Sequence, residues 1–174
     1  MKIKDMTKIS ICIALLCVSA FISFPVPFSP APISAQTIMI NIIALVLAPK
    51  HALAAVGGYI LLGAFGIPVF AGGTAGLAKL AGPTGGYLIG FLVAAPIMSY
   101  LKGQGISFKR YAIVTIFVGM PIIYAIGTPW LGFITNMDIK SALLAGVAPY
   151  VVEDILKCLV AVLIASSINR RLRS

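Results

Sequence analysis

Ser141-Ala142-Leu143-Leu144-Ala145-Gly146-Val147-Ala148-Pro149-Tyr150-Val151-Val152-Glu153-Asp154-Ile155-Leu156-Lys157-Cys158-Leu159-Val160-Ala161-Val162-Leu163-Ile164-Ala165-Ser166-Ser167-Ile168 is the longest apolar run of the chain. It exceeds the ~20 residues that an α-helix needs to cross the hydrocarbon core of a bilayer. Five shorter apolar runs precede it, at about 9–24, 33–48, 52–66, 86–101 and 110–126. Of the 174 residues 60% are hydrophobic and only 10% are charged. Soluble proteins carry roughly 25% charged residues. This chain lacks the polar residues to cover a water-soluble surface, so the composition predicts one all-α integral membrane domain over 1–174, with six transmembrane helices.

The connections are unusual. Pro25-Val26-Pro27-Phe28-Ser29-Pro30-Ala31-Pro32 is too rich in proline for helix interior, and reads as a stiff, extended, uncharged loop. The stretch 66–86 is rich in glycine, yet Lys79 is its one charge. A solvated linker would be more polar. It reads as a folded re-entrant or lid loop, with glycines for tight turns and close backbone approach. Gly127-Thr128-Pro129-Trp130 reads as the start of a further loop that reaches Asp138 and Lys140. The second and third runs are short for straight spans. Irregular backbone at membrane depth is tolerated where it is buried or lines a cavity.

The net charge of +9 falls in short clusters between the apolar runs. Basic residues do not alternate with aromatics, so nucleic-acid binding is disfavoured. Six spans put both termini on one side. That side holds Lys2, Lys4, Lys8, Lys50, Lys102, Lys109, Arg110, Arg170, Arg171 and Arg173, ten of the 13 basic residues, against Lys79 and Lys140 opposite. Basic loops stay inside, so both termini are expected in the cytoplasm and the three uncharged loops outside. The first run is not expected to be cleaved, because it ends in Phe24-Pro25-Val26-Pro27 without a small-residue site.

Chemistry-bearing residues are few. Glu153, Asp154 and Lys157 stand inside the last run. A charge near the bilayer centre costs ~2.5–3.5 kcal/mol, so the three need mutual compensation or a function. The spacing allows Glu153–Lys157 at i,i+4 and Asp154–Lys157 at i,i+3. Two readings fit: an ion pair that pins helix packing, or the polar floor of a substrate cavity. Lys79 is either a snorkelling interfacial lysine or a cation for a substrate's acid group. Gln36 and Asn41 are either inter-helix glue or cavity lining. Trp130 and several tyrosines fit interface anchors. Cys12, Cys17 and Cys158 lie in apolar runs without metal or redox spacing. The chain has no GxxxxGK[ST], HExxH or GxSxG, so neither ATP hydrolysis nor other enzyme chemistry is supported.

These residues also match a family nearly end to end. The matching strings are Pro25 to Ile33 with Gln36-Thr37, Gly66-Ile67-Pro68-Val69-Phe70-Ala71-Gly72-Gly73, Gly82-Pro83-Thr84-Gly85-Gly86-Tyr87-Leu88-Ile89-Gly90-Phe91, and Pro149-Tyr150 with Asp154 and Lys157. The chain resembles the BioY family, the biotin-binding S components of energy-coupling factor (ECF) vitamin transporters. In the family's last-helix pattern Tyr150 replaces a Phe and Glu153 a Gly, while Asp154 and Lys157 stay in register. The family's Ala-xxx-Ala docking pair on the first helix corresponds to Ser10 and Ala14.

The resemblance implies capture of biotin as the substrate-specific subunit of an ECF-type ABC transporter in the plasma membrane of a bacterium. Implied partners are a membrane coupling subunit and two cytoplasmic ATPase subunits; no cofactor or metal is implied. It further implies that Asp154 accepts the ureido N–H groups. Lys157 then donates to the ureido carbonyl or neutralises Asp154, and Lys79 holds the acid tail. Phe70, Tyr87 and Trp130 are candidates to pack on the apolar ring, with Gln36 and Asn41 lining the cavity. The alternatives are an S component or carrier for another small vitamin and, disfavoured because no nucleophile or metal constellation accompanies Glu153, Asp154 and Lys157, an intramembrane enzyme.

Overall fold

The computed structural model describes residues 3–27 and 29–172. Lys2, Phe28 and Arg173, used above, lie outside the described residues. The chain forms α1 (Ile3–Phe21), a hairpin of β1 (Ser23–Val26) and β2 (Ser29–Ser34), α2 (Gln36–Val46) and α3 (Pro49–Ala64). A glycine-rich loop with the short α4 (Leu77–Ala81) leads to α5 (Gly85–Leu101). Then come α6 (Phe108–Val114), a π-helical turn (Thr115–Gly119), α7 (Met120–Thr135), α8 (Ile139–Gly146) and α9 (Val151–Arg171). The fold is helical apart from the hairpin.

α2 is the central post. Ile40, Ile43, Ala44 and Leu45 on it are fully buried, and it packs against α1, α3, α5 and α9. A helix apolar on all sides must be surrounded by protein or lipid. The outer helices show the other half of that pattern. Ile11, Leu15 and Val18 on α1, Phe117 and Phe133 on the α6–α7 rod, and Val152, Leu156 and Leu163 on α9 are all exposed. Water would not tolerate so continuous an apolar surface, whereas lipid would. The uninterrupted rod Phe108–Thr135 is 28 residues long, enough to span a bilayer.

Four expectations need correction. First, the proline-rich stretch is paired, not loop. Ser23 faces Ser34, Phe24 faces Ile33 and Val26 faces Ser29, with an irregularity between Phe24 and Val26. Pro25 sits there and has no N–H to give; a two-stranded hairpin leaves every strand an edge where prolines fit. The helix of the second run consequently starts at Gln36 rather than at 33. Second, the fifth run continues to Thr135, so Trp130 is on a helix. Pro121 is absorbed by the π turn, in which the Met120 N–H reaches back to the Thr115 carbonyl. Third, the sixth run is two helices. Pro149 restricts Ala148 and cannot donate, and turn residues 147–150 separate α8 from α9.

Fourth, and as a result, Glu153 and Asp154 occupy the first turn of α9 instead of its middle. The helix dipole favours carboxylates there, and Arg170 and Arg171 in the last turn complement the other end.

Glycine sets the seam between α5 and α7. A Cβ on Gly86 would lie 2.3 Å from Trp130 Cβ, one on Gly90 3.0 Å from Ile123 Cα, and one on Gly127 2.4 Å from Tyr87 Cδ1. Close backbone approach of this kind is how helices pack where lipid removes the hydrophobic driving force. Gly86→Val is expected to cost about 1–3 kcal/mol through overpacking. Gly57→Ala, whose new Cβ meets Leu92 Cδ1 at an ordinary 3.7 Å, is expected to be neutral or better. Thermal unfolding in detergent, followed on both variants, checks the contrast.

Candidate substrate site

At the hairpin end of the bundle, β2, α2, the glycine-rich loop, α5, α7 and α9 surround a cavity. Its floor is the first turn of α9. Lys157 Nζ lies 2.9 Å from Glu153 Oε2 and 3.7 Å from Asp154 Oδ1. It also donates to the Ser34 carbonyl at 2.7 Å, which ties α9 to the end of β2. Asp154 is 7% exposed. Its Oδ1 accepts from Thr37 Oγ1 at 3.2 Å and its Oδ2 from the Tyr124 hydroxyl at 2.6 Å.

Surrounding hydrogen bonds fix the walls. Gln36 Nε2 donates to the Tyr59 hydroxyl, and Ser34 Oγ donates to Gln36 Oε1 at 3.2 Å. The Tyr150 hydroxyl joins the hairpin, 2.7 Å from Ser29 Oγ and bonded to the Ala31 carbonyl. The Tyr87 hydroxyl donates to the Gly146 carbonyl at 2.8 Å, closing the end of α8. The Phe70 ring is buried edge-on against Tyr59, at 5.6 Å between centroids. A Cβ on Gly63 would strike that ring at 2.1 Å, so glycine at 63 makes room for it. Lys79 lines the cavity from α4. Among the described residues it forms no ion pair.

Of the residues singled out from sequence, the cavity brings together Gln36, Phe70, Lys79, Tyr87, Asp154 and Lys157. Asn41 is not among the lining residues. It stands one turn deeper on α2, donates to Cys158 Sγ at 3.4 Å, and lines a smaller void beneath Asp154. Trp130 does not line the cavity either. Its Nε1 donates to the Gly82 carbonyl at 2.9 Å, which anchors the glycine-rich loop to α7. Ser10 and Ala14 are exposed on α1, on the face that carries Ile11, Leu15 and Val18. Tyr124, Thr37, Ser34 and Glu153 also line the cavity. A phenol in an apolar run is the only signal for Tyr124, and it equally suits an interface anchor.

The profile of the BioY family matches residues 1–174. This chain belongs to the BioY family. Among curated relatives, the probable biotin transporter BioY of Pyrococcus horikoshii is 39% identical, over 97% of this chain and 98% of the relative. The biotin transporter BioY of Thermotoga maritima is also 39% identical, over 96% of each. Among solved structures, the crystal structure of the S-component for biotin from an ECF-type ABC transporter superposes with a TM-score of 0.89. It is 26% identical and covers 97% of this chain and 92% of that chain. The chain is therefore a membrane protein of a transporter family, with the S-component fold.

The anchoring role of Trp130 can be separated from ligand contact. Trp130→Phe keeps the ring packing but removes the hydrogen bond to Gly82, worth about 1 kcal/mol. Hydrogen exchange is expected to quicken in residues 66–82, with helix content by circular dichroism unchanged.

Proposed function

We propose that the protein captures biotin and serves its uptake across the membrane as the substrate-specific subunit of an ECF-type ABC transporter. The observation that carries this reading is the likeness to a biotin S-component over nearly the whole chain, together with a cavity that Asp154, Lys157 and Lys79 line. Biotin offers two ureido N–H donors and a carbonyl at one end, an apolar thioether ring, and a carboxylate tail. Asp154, backed by Thr37 and Tyr124, accepts the ureido N–H groups. Lys157 donates to the ureido carbonyl. Phe70 and Tyr87 pack on the ring, and Lys79 holds the tail by a charge-assisted bond.

The topology that suits this role has six crossings, both termini in the cytoplasm, and the hairpin and glycine-rich loop outside. Uphill transport needs energy, and the chain has no P-loop of its own. The energy is supplied by two cytoplasmic ATPases through a membrane coupling subunit. The exposed small-residue face at Ser10 and Ala14 is the docking position for that subunit.

Binding of biotin to the detergent-purified protein tests the reading. Asp154→Asn and Lys157→Met are each expected to weaken it by about 10–100-fold, the range of a lost charge-assisted hydrogen bond. Lys79→Met is expected to weaken biotin but to leave biotin methyl ester unaffected. Well-folded protein that does not bind biotin would instead be a carrier of another small molecule. A protease-cleavable C-terminal tag is expected to resist protease added to intact cells and to be cut in inverted vesicles.

A further inference from the structure

The cavity floor holds more negative than positive charge. Glu153 and Asp154 are two carboxylates, and Lys157 is the one ammonium that pairs with them among the described residues. Lys79 enters the cavity from α4 but joins neither pair. The other titratable groups facing the floor are Tyr124 from α7, Tyr87 from α5 and Tyr150 next to α9, phenols that are neutral near pH 7. The polar side chains that β2 and α2 contribute, Ser34, Gln36 and Thr37, carry no charge. The chain's remaining acids, Asp5 and Asp138, are not in the cavity lining.

The two carboxylates are not equivalent. Asp154 has a hydroxyl donor on each oxygen. Among the described residues Glu153 has Lys157 alone, on Oε2, and its side chain is the more exposed of the two, 24% against 10%. Water in the open cavity solvates the excess negative charge. A ligand that replaces this water with an apolar ring system removes that solvation. An uncompensated ion in such surroundings is costly enough that the group neutralises itself instead.

We infer that ligand binding takes up one proton from solvent, and that Glu153 is the residue that accepts it. The floor is then left with one ammonium and one carboxylate, with Asp154 still charged to accept the ligand's N–H groups. A neutral Glu153 keeps its carbonyl oxygen as an acceptor for Lys157. Because the bound state holds the extra proton, affinity falls as pH rises through neutrality, by at most about tenfold per unit. The inference deepens the biotin reading and rests on it.

Isothermal titration calorimetry of biotin into the full-length purified protein tests it, in buffers of different ionisation enthalpy at one pH near neutrality. The dependence of the heat on the buffer gives the number of protons taken up. About one proton per ligand is expected for the wild type. Glu153→Gln, which preserves shape and acceptor, is expected to bind with uptake near zero and with affinity independent of pH. Tight binding by the wild type without proton uptake overturns the inference and leaves the biotin reading standing. Uptake that persists in Glu153→Gln overturns it as well, because the acceptor is then another group, the ligand's carboxylate included. If the Gln variant does not fold, the wild-type proton number still decides whether a proton is bound. Absence of any binding heat from folded wild type overturns the biotin reading and the inference with it.

Discussion

Lys157 reaches two carboxylates of its own helix and the backbone carbonyl of Ser34, where the hairpin ends. That one ammonium makes two charged residues tolerable in an apolar chain, and it joins the last helix to the first irregular segment. Breaking a buried ion pair by removing one partner costs about 3–5 kcal/mol, because the other partner is left uncompensated. The Tyr150 hydroxyl repeats the tie seven residues earlier, at Ser29 and Ala31. Cavity shape and charge compensation therefore depend on the same few atoms.

From this point downward, α2 and α9 run side by side in the same direction. Thr37 meets Asp154, Asn41 meets Cys158, and Leu45 packs with Val162 and Ala165. Polarity fades along the seam, from the carboxylate through amide and thiol to aliphatic carbon. At the far end, the carbonyls left unpaired at the end of α2 are taken by neighbours. Lys102 bonds to Ala44 and Leu47, Ser99 to Leu47, and Asn169 to Leu45. The central helix is thus held at both ends by polar groups from other helices, with the Asn41–Cys158 contact between them.

The break at Pro149 ties local sequence to the site. Without it, α8 and α9 would be one long helix, and Glu153 and Asp154 would sit in mid-helix with no dipole to favour them. The break turns those positions into a helix start and leaves the end of α8 to be closed by Tyr87. Tyr87 can reach it because Gly127 leaves room for the Tyr87 ring.

The amino-acid sequence by itself determined the membrane class, the apolar runs, and the small set of residues with chemistry to offer. Hydropathy and charge scarcity are properties of composition and need no contacts to be read. The spacing of Glu153, Asp154 and Lys157 also placed both acids within reach of one lysine, because i,i+3 and i,i+4 neighbours meet on any helix. Only the tertiary structure decided that the prolines pair as a hairpin and that Trp130 anchors a loop from within a helix. It alone placed Asn41 below the cavity, and Tyr124 and Thr37 on the oxygens of Asp154. Those outcomes depend on partners far apart in the chain, Thr37 and Asp154 or Trp130 and Gly82, whose meeting no local periodicity encodes. A phenol in an apolar run has the same local pattern whether it faces lipid or a carboxylate, and only packing distinguishes the two.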